Sequence, residues 1–393
     1  MDAADFKQAA CAAVDRLRDE LLRISHAIHA KPELAFEERE AAALLVEALR
    51  EAGLEVEAGA YGLETAFAAE FGPPGDACVA LLAEYDALPE IGHACGHNVI
   101  AAAGVGAGLA LATLGSHLPG RIRVLGTPAE ERGGGKEWMA RRGAFDGVDA
   151  ALMIHPAGSN LVTMPSLCVA EAEVVYRGRA AHAAAAPERG INALDALVFA
   201  YQAIAALRQH LRATERIHGI FTEAGRAPNV VPERAAGRFY VRAADPPALA
   251  ALRQRVAACF EAGARVTGAA LDLRWGEIEY LAIRRNDPLN DAFRANAEKL
   301  GREFFPLEEL PPSLAASTDM GNVSHRVPSI HPMLAAAPLG CAIHDPEFAR
   351  WAASELGDAA VLDGAKALAM TALDFLCDVQ LREHARAHFE AGG

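Results

Sequence analysis

No uninterrupted apolar run in this sequence reaches the roughly 18 residues that a membrane-spanning helix needs, so no span is expected. The first ten residues, Met1 to Ala10, lack a basic segment followed by an apolar one, which argues against a secretory leader. The seven cysteines are scattered and do not form a disulfide framework. A reducing cytoplasm is the expected setting. Basic residues are also short: 37 Lys and Arg against 52 Asp and Glu leave a formal net charge of −15. That balance argues against nucleic acid as a partner. No internal repeat interrupts the chain, and its only compositional bias is alanine richness.

What is present is ample for a core: 52% of the 393 residues are hydrophobic. The length suggests two domains, or one large domain with an insertion. Helical spacing of Val14, Leu17, Leu21, Ile24 and Ile28 predicts one helix over 6–28. A second follows over 37–52, closed by Gly53. Strands are predicted at 54–57, 65–71, 77–83, 121–126 and 149–154, with helices near 99–113 and 136–142. This alternation implies an α/β fold with a mostly parallel central sheet.

The pattern changes after Pro165. Strands at 167–176, 217–223, 236–242 and 269–276 frame helices at 191–208 and 246–261, the β-α-β-β-α-β order of a ferredoxin-like unit. Residues 166–280 are therefore expected to form an inserted domain, with 1–165 and 281–393 forming the main one. The main domain resumes with a helix at 291–300, a strand at 329–337 and a long helix at 357–381.

The chain is organised around Ala83 to Asn98, where a thiol, imidazoles and carboxylates crowd one loop. Cys95, His97, Glu131, His155 and His344 all fall in loops after predicted strands. Sulfur, nitrogen and oxygen donors together suit zinc and its first-row neighbours. Five protein donors exceed the three of a single catalytic zinc and fit two ions. In the pair Glu130-Glu131, one carboxylate is expected to bind metal (Glu131) and the other to act as general base (Glu130). Asp86 is expected to orient a ligand imidazole. His26 and His29, one helical turn apart, are read as a packed or solvated helix end. His325 and His331 receive no role.

Four motifs together resemble the M20 metallopeptidases, in particular the amidohydrolase branch with Cys-Gly-His. They are Ile28-His-Ala-Lys-Pro-Glu-Leu; Asp86-Ala-Leu-Pro with His93-Ala-Cys-Gly-His-Asn; Pro128-Ala-Glu-Glu-Arg-Gly-Gly-Gly-Lys; and the run from Ala181-His to Asp195-Ala. Ser317-Thr-Asp-Met-Gly-Asn-Val-Ser-His resembles the subgroup of aminobenzoyl-glutamate hydrolases and β-alanyl-lysine dipeptidases. Two departures stand out. Glu84-Tyr85-Asp86 replaces the His-x-Asp of many members, and Asn98 replaces an Asp.

The resemblance implies two divalent metal ions per subunit, zinc first, with manganese or cobalt as alternatives, held by Cys95, His97, Glu131, His155 and His344. It implies a lid that also forms a homodimer, with His182 reaching the partner's active site to steady the oxyanion. Asn229 would hold the substrate's carboxylate or backbone. The expected function is hydrolysis of an amide bond in a dipeptide or N-acyl amino acid. A deaminase of an aryl amine, a non-catalytic binding protein and a hydrolase using Cys95 as nucleophile are the rival readings.

Overall fold

The computed structural model describes residues 3–74, 77–307 and 315–392. The chain forms two compact units, Met1–Pro165 with Ile283–Gly393, and Ser166–Ala282.

The first unit opens with α1 (Ala3–Arg16), α2 (Arg18–Ala30) and α3 (Arg39–Glu51). The helix predicted over 6–28 is thus two. Leu17, at φ −85° and ψ 0°, bends the rod. The bonds from Leu17 N to Ala13 O (3.0 Å) and from Leu21 N to Leu17 O (2.9 Å) persist across the bend. Val14, Leu21, Ile24 and Ile28 are all buried, so the apolar stripe the sequence displays survives it.

There follow β1 (Val56–Ala58), β2 (Phe67–Phe71), β3 (Cys78–Ala83), α4 (His97–Ala112), β4 (Arg121–Gly126), α5 (Gly135–Arg141), β5 (Ala150–Leu152) and β6 (His155–Ala157). The second unit contributes β7 (Cys168–Arg177), α6 (Ala193–Arg208), β8 (Arg216–Glu223), β9 (Arg234–Ala243), α7 (Pro246–Thr267) and β10 (Ala270–Trp275). The first unit then resumes with α8 (Asp287–Glu298), α9 (Met320–Ser324), β11 (Ser329–Ile330), β12 (Met333–Ala335), α10 (Pro346–Trp351), α11 (Glu355–Cys377) and α12 (Val379–Glu390).

The main sheet runs β1-β2-β4-β3-β5-β11. β3 is parallel to β4 and β5, and β11 is parallel to β5, while β1 and β2 are attached antiparallel at one side. The single strand predicted over 329–337 is divided. β11 joins the main sheet, and β12 pairs with β6 in a separate two-stranded ladder. Pro332 stands between them and has no N–H with which to continue one ladder. The helix predicted over 357–381 is also divided. The Asp378 side chain accepts from Gln380 N and Leu381 N and so starts α12 afresh.

The core lies where α4 meets the sheet. Every residue of β3 is buried, and α4 is buried on all sides from His97 to Leu111. Such a helix must be apolar all round, and its small residues let neighbours come close. A Cβ on Gly104 would lie 2.4 Å from Leu82 O, so helix and strand touch backbone to backbone there.

In the second unit the antiparallel sheet runs β10-β7-β9-β8, the order of a ferredoxin-like fold. Asn192 caps α6 and Asp245 caps α7. The core of this unit is formed by Tyr176, Leu197, Ile204, Phe239, Val256 and Phe260.

The close approach at Gly104 predicts that Gly104→Ala lowers stability by about 1–3 kcal/mol. Chemical denaturation midpoints against wild type measure it; an unchanged midpoint would show that α4 has room to shift.

Candidate metal centre

Parallel strands deliver the chemistry to one edge of the sheet. β3 runs straight into Glu84, Tyr85 and Asp86, β4 into Thr127 to Glu131, and β5 through Met153 and Ile154 into His155. Neighbouring parallel strands end on the same side, so the residues just past them meet. Cys95 and Gly96 precede α4, and His97 is its first residue. His344 comes from the segment between β12 and α10. His155 was expected in a loop; it opens the short strand β6 instead.

The backbone is specialised at these points. Gly96 has φ +79°, and a Cβ there would lie 2.6 Å from Pro156 Cγ. Only glycine lets the Cys95–His97 turn rest on the residue that follows His155. Ala129 and His344 hold left-handed φ values of 61° and 67° without being glycine. Such conformations cost roughly 1–3 kcal/mol each and need outside support. Glu38, itself buried, gives it at Ala129: its Oε1 accepts from Ala129 N (2.8 Å) and Phe36 N (3.0 Å), and Thr65 donates to its Oε2 (2.9 Å).

The five residues expected as ligands lie together. Cys95 Sγ is 3.4 Å from His155 Nε2. Glu131 Oε1 is 3.4 Å from His344 Nε2 and 3.7 Å from His97 Nε2. Asp86 faces His97 Nδ1 at 3.0 Å through one oxygen and accepts from Glu131 N at 2.9 Å through the other. His155 Nδ1 lies 2.7 Å from Pro156 O, which can only accept. The proton therefore sits on Nδ1 and leaves Nε2 a lone pair facing the thiol. Burial lowers the pKa of His155 to about 4, so the ring is neutral at pH 7. The same cause, with the charge of Glu131 next, holds the Cys95 thiol well above its ordinary range against the opposing pull of His97.

Sequence reasoning missed a buried ionic group beside this cluster. Lys136 Nζ lies 2.5 Å from Glu84 Oε2 and 2.7 Å from Asp319 Oδ1. Burial pushes Glu84 up, but Lys136 and then His97 outweigh it and hold the carboxyl at about 2. Lys136 follows the triple glycine and Asp319 lies in the Ser317-Thr-Asp-Met run, so both belong to motifs visible in the sequence. Nothing in their residue types marked them as buried. His331 is buried too, its ring edge-on to His155 at 5.4 Å with neither nitrogen hydrogen-bonded.

The donors fit a divalent metal. Three overlapping sets, Cys95–His97–His155, Cys95–Glu131–His344 and Glu84–His97–Glu130, each have their ligand atoms within 4.8 Å of one another. Glu84 Oε1, His97 Nε2 and Glu131 Oε1 are buried without a hydrogen-bond partner. Orphaned polar atoms of this kind are rare in folded proteins, and here they suit the coordination of a metal. Among the described residues, Lys136 is the lone ammonium paired with the group, against the carboxylates of Glu84, Asp86, Glu130, Glu131 and Asp319.

His26 and His29 take no part: their Nε2 atoms meet Asp358 Oδ1 (2.7 Å) and Ala349 O (2.6 Å). His182 and Asn229 lie in the second unit, both outside its core, and Ala183 N donates to Asn229 O at 3.0 Å. His182 Nδ1 accepts from Ala184 N (3.3 Å) and Ala185 N (3.1 Å), which leaves the proton on Nε2.

Comparison with known proteins agrees with this chemistry. Residues 80–374 match the family description "Peptidase family M20/M25/M40". The chain is 39% identical to Xaa-Arg dipeptidase of Mus musculus, over 98% of this chain and 92% of that one. It is 29% identical to one of the subunits of p-aminobenzoyl-glutamate hydrolase of Escherichia coli (strain K12), over 93% and 91%. In fold it is similar to the Bacillus subtilis YXEP protein, a dinuclear metal binding peptidase (TM-score 0.69, 22% identity, 92% of this chain and 99% of that one). With a divalent-metal site at the ends of its parallel strands, the chain belongs to peptidase family M20/M25/M40 and is a hydrolase of amide bonds in dipeptides or N-acyl amino acids.

Proposed function

We propose that this enzyme is a two-metal dipeptidase, with zinc rather than manganese or cobalt in the site and with dipeptides ending in a basic residue among its substrates. The observation that carries the two-ion reading is the overlap of the donor sets: Cys95 belongs both to a set with His97 and His155 and to a set with Glu131 and His344. A sulfur-, nitrogen- and oxygen-rich set of this kind favours zinc. The substrate class rests on the near full-length similarity to the mouse Xaa-Arg dipeptidase.

When bound, the ions supply Lewis acidity, which makes water a better nucleophile and polarises the amide carbonyl. The chain's residues do the rest. Glu130 takes the proton from the attacking water and passes it to the departing nitrogen. Its place in a buried donor set with Glu84 and His97 supports that role. Asp86 fixes the tautomer and orientation of His97 through Nδ1. In the dimer, His182 offers Nε2–H to the oxyanion in the partner subunit's active site, and its backbone-held Nδ1 supports this assignment. Asn229 holds the substrate's carboxylate or backbone.

The second unit is proposed as lid and dimerisation domain. β8 ends its sheet, and among the described residues no strand pairs with its outer side. Ile220 on β8 is 65% exposed, Phe221 next to it in the chain is exposed, and so are Val198 and Phe199 on α6. Phe221 touches Tyr201 of α6 ring to ring at 5.6 Å, which joins the strand and helix surfaces. An open, apolar edge strand invites pairing, and a second copy in antiparallel register is self-complementary. The cytoplasm is the proposed compartment, supported by seven free cysteines. Among the described residues no helix is long and apolar enough to cross a membrane.

Incubation with Xaa-Arg, β-alanyl-lysine and N-acyl amino acids, before and after chelation, tests the activity. The expected products are free amino acids, with turnover lost on chelation and restored by zinc. Release of ammonia instead would establish a deaminase. Glu130→Gln is expected to lower kcat about 10²–10⁴-fold while elemental analysis finds the metal content unchanged. Near-normal turnover of that variant would remove Glu130 from the mechanism. Finally, sedimentation should find wild type dimeric and the double variant Phe199→Arg, Ile220→Arg monomeric; a monomeric wild type would end the dimer proposal.

A further inference from the structure

Glu84 belongs to one of the donor sets but is not among the five residues assigned as ligands above. It is fully buried at the end of β3. Its Oε2 lies 2.5 Å from Lys136 Nζ, and the same ammonium lies 2.7 Å from Asp319 Oδ1. Lys136 N also donates to Asp319 Oδ2 at 2.9 Å. A backbone bond and two ion pairs therefore hold the ammonium in place, and the ammonium holds one oxygen of Glu84.

The other oxygen faces His97. Glu84 Oε1 is 3.2 Å from His97 Nε2, and neither atom has a hydrogen-bond partner. The opposite nitrogen of that ring, Nδ1, is 3.0 Å from Asp86 Oδ1. Asp86 also accepts from Glu131 N, as a carboxylate does, so the His97 proton belongs on Nδ1. With a proton kept on Nδ1, the ring can offer Nε2 to an ion once that nitrogen gives up any proton of its own, and Glu84 Oε1 offers a second donor. A separation of 3.2 Å suits two donors on one cation, which would take the place of a proton between them. An oxygen of Glu130 closes the set within 4.8 Å.

We infer that Glu84 is a further metal ligand, sharing an ion with His97 through Oε1, and that Lys136 and Asp319 form the bracket that aims it. The inference rests on the reading of this cluster as a metal site and adds a ligand to it. Lys136 is then a positioning residue. It neutralises Oε2 so that one oxygen remains for the ion, and it keeps Glu84 from turning back into the core.

Glu84→Gln and Asp319→Asn separate ligand from bracket. Each removes one carboxylate from Lys136 at constant volume, and only Glu84 faces His97. Wild type and both variants are stripped with chelator and titrated with zinc by calorimetry, then loaded with cobalt(II) for visible absorption. The expected result is that wild type takes two ions. Glu84→Gln should then bind one of them about tenfold more weakly or worse, with shifted cobalt bands. Asp319→Asn should keep the wild-type band positions, because its change lies outside the coordination sphere.

A Glu84→Gln protein with wild-type affinity and bands overturns the inference while leaving the metal reading intact. Equal band shifts in both variants overturn it too, since Glu84 would then act only through Lys136. A wild type that binds no ion overturns both readings. Should Glu84→Gln fail to fold, a crystal structure of the zinc-loaded wild type decides: Glu84 Oε1 is expected roughly 2.0–2.2 Å from an ion, and a separation beyond about 3 Å refutes the assignment.

Discussion

The structure depends on how negative charge is buried at one end of a sheet. Glu84, Asp86, Glu130 and Asp319 are all buried, and the side chain of Glu131 is 9% exposed. Isolated carboxylates in such a place would cost several kcal/mol each, more together than the margin by which a domain is stable. One internal ammonium, Lys136, offsets part of this. The remainder explains why buried oxygens and a ring nitrogen stand without partners where the donor sets overlap. A divalent ion is the natural counter-charge, and the same ion gives the site its chemistry. Stability and function thus draw on one electrostatic arrangement.

Holding that arrangement requires a backbone bent in unusual ways. Ala129 sits in the left-handed region immediately before the Glu130-Glu131 pair, and Glu38 grips its N–H from across the fold. His344 is held in the same region, with its N–H on Ala94 O at 2.8 Å, next to Cys95. Gly96 lies against Pro156. Each of these contacts ties two distant segments together at the point where a donor side chain emerges. Strain thereby reaches the cluster at Ala129 and His344, while the apolar β3, α4 and α11 beneath it are regular.

The second unit follows other rules. Its core is apolar, its helices are capped by Asn192 and Asp245, and its sheet is fully antiparallel. Its distinctive features lie on the surface: His182 and Asn229, an edge strand that carries exposed Ile220, and exposed Phe199 on α6. They fit the proposed roles in substrate contact and self-association, which need access to solvent.

Much was legible in the residues themselves. Period-2 and period-3.6 apolar patterns located most strands and helices, because those periods are local properties of the backbone. Cys95, His97, Glu131, His155 and His344 could be singled out because sulfur and imidazole donors in loops after apolar runs are uncommon. Breaks within elements were harder. Leu17 is an ordinary helix former, and the divide at His331-Pro332 is set by which neighbouring strand each half joins. Least legible were Glu84, Lys136 and Asp319. A glutamate, a lysine and an aspartate are surface residues by default, and 52 and 183 positions separate the lysine from its two partners. The sequence by itself determined which groups could do metal chemistry. Only the tertiary structure decided which of them share a dry, charge-crowded space, because burial and proximity arise from packing between segments far apart in the chain.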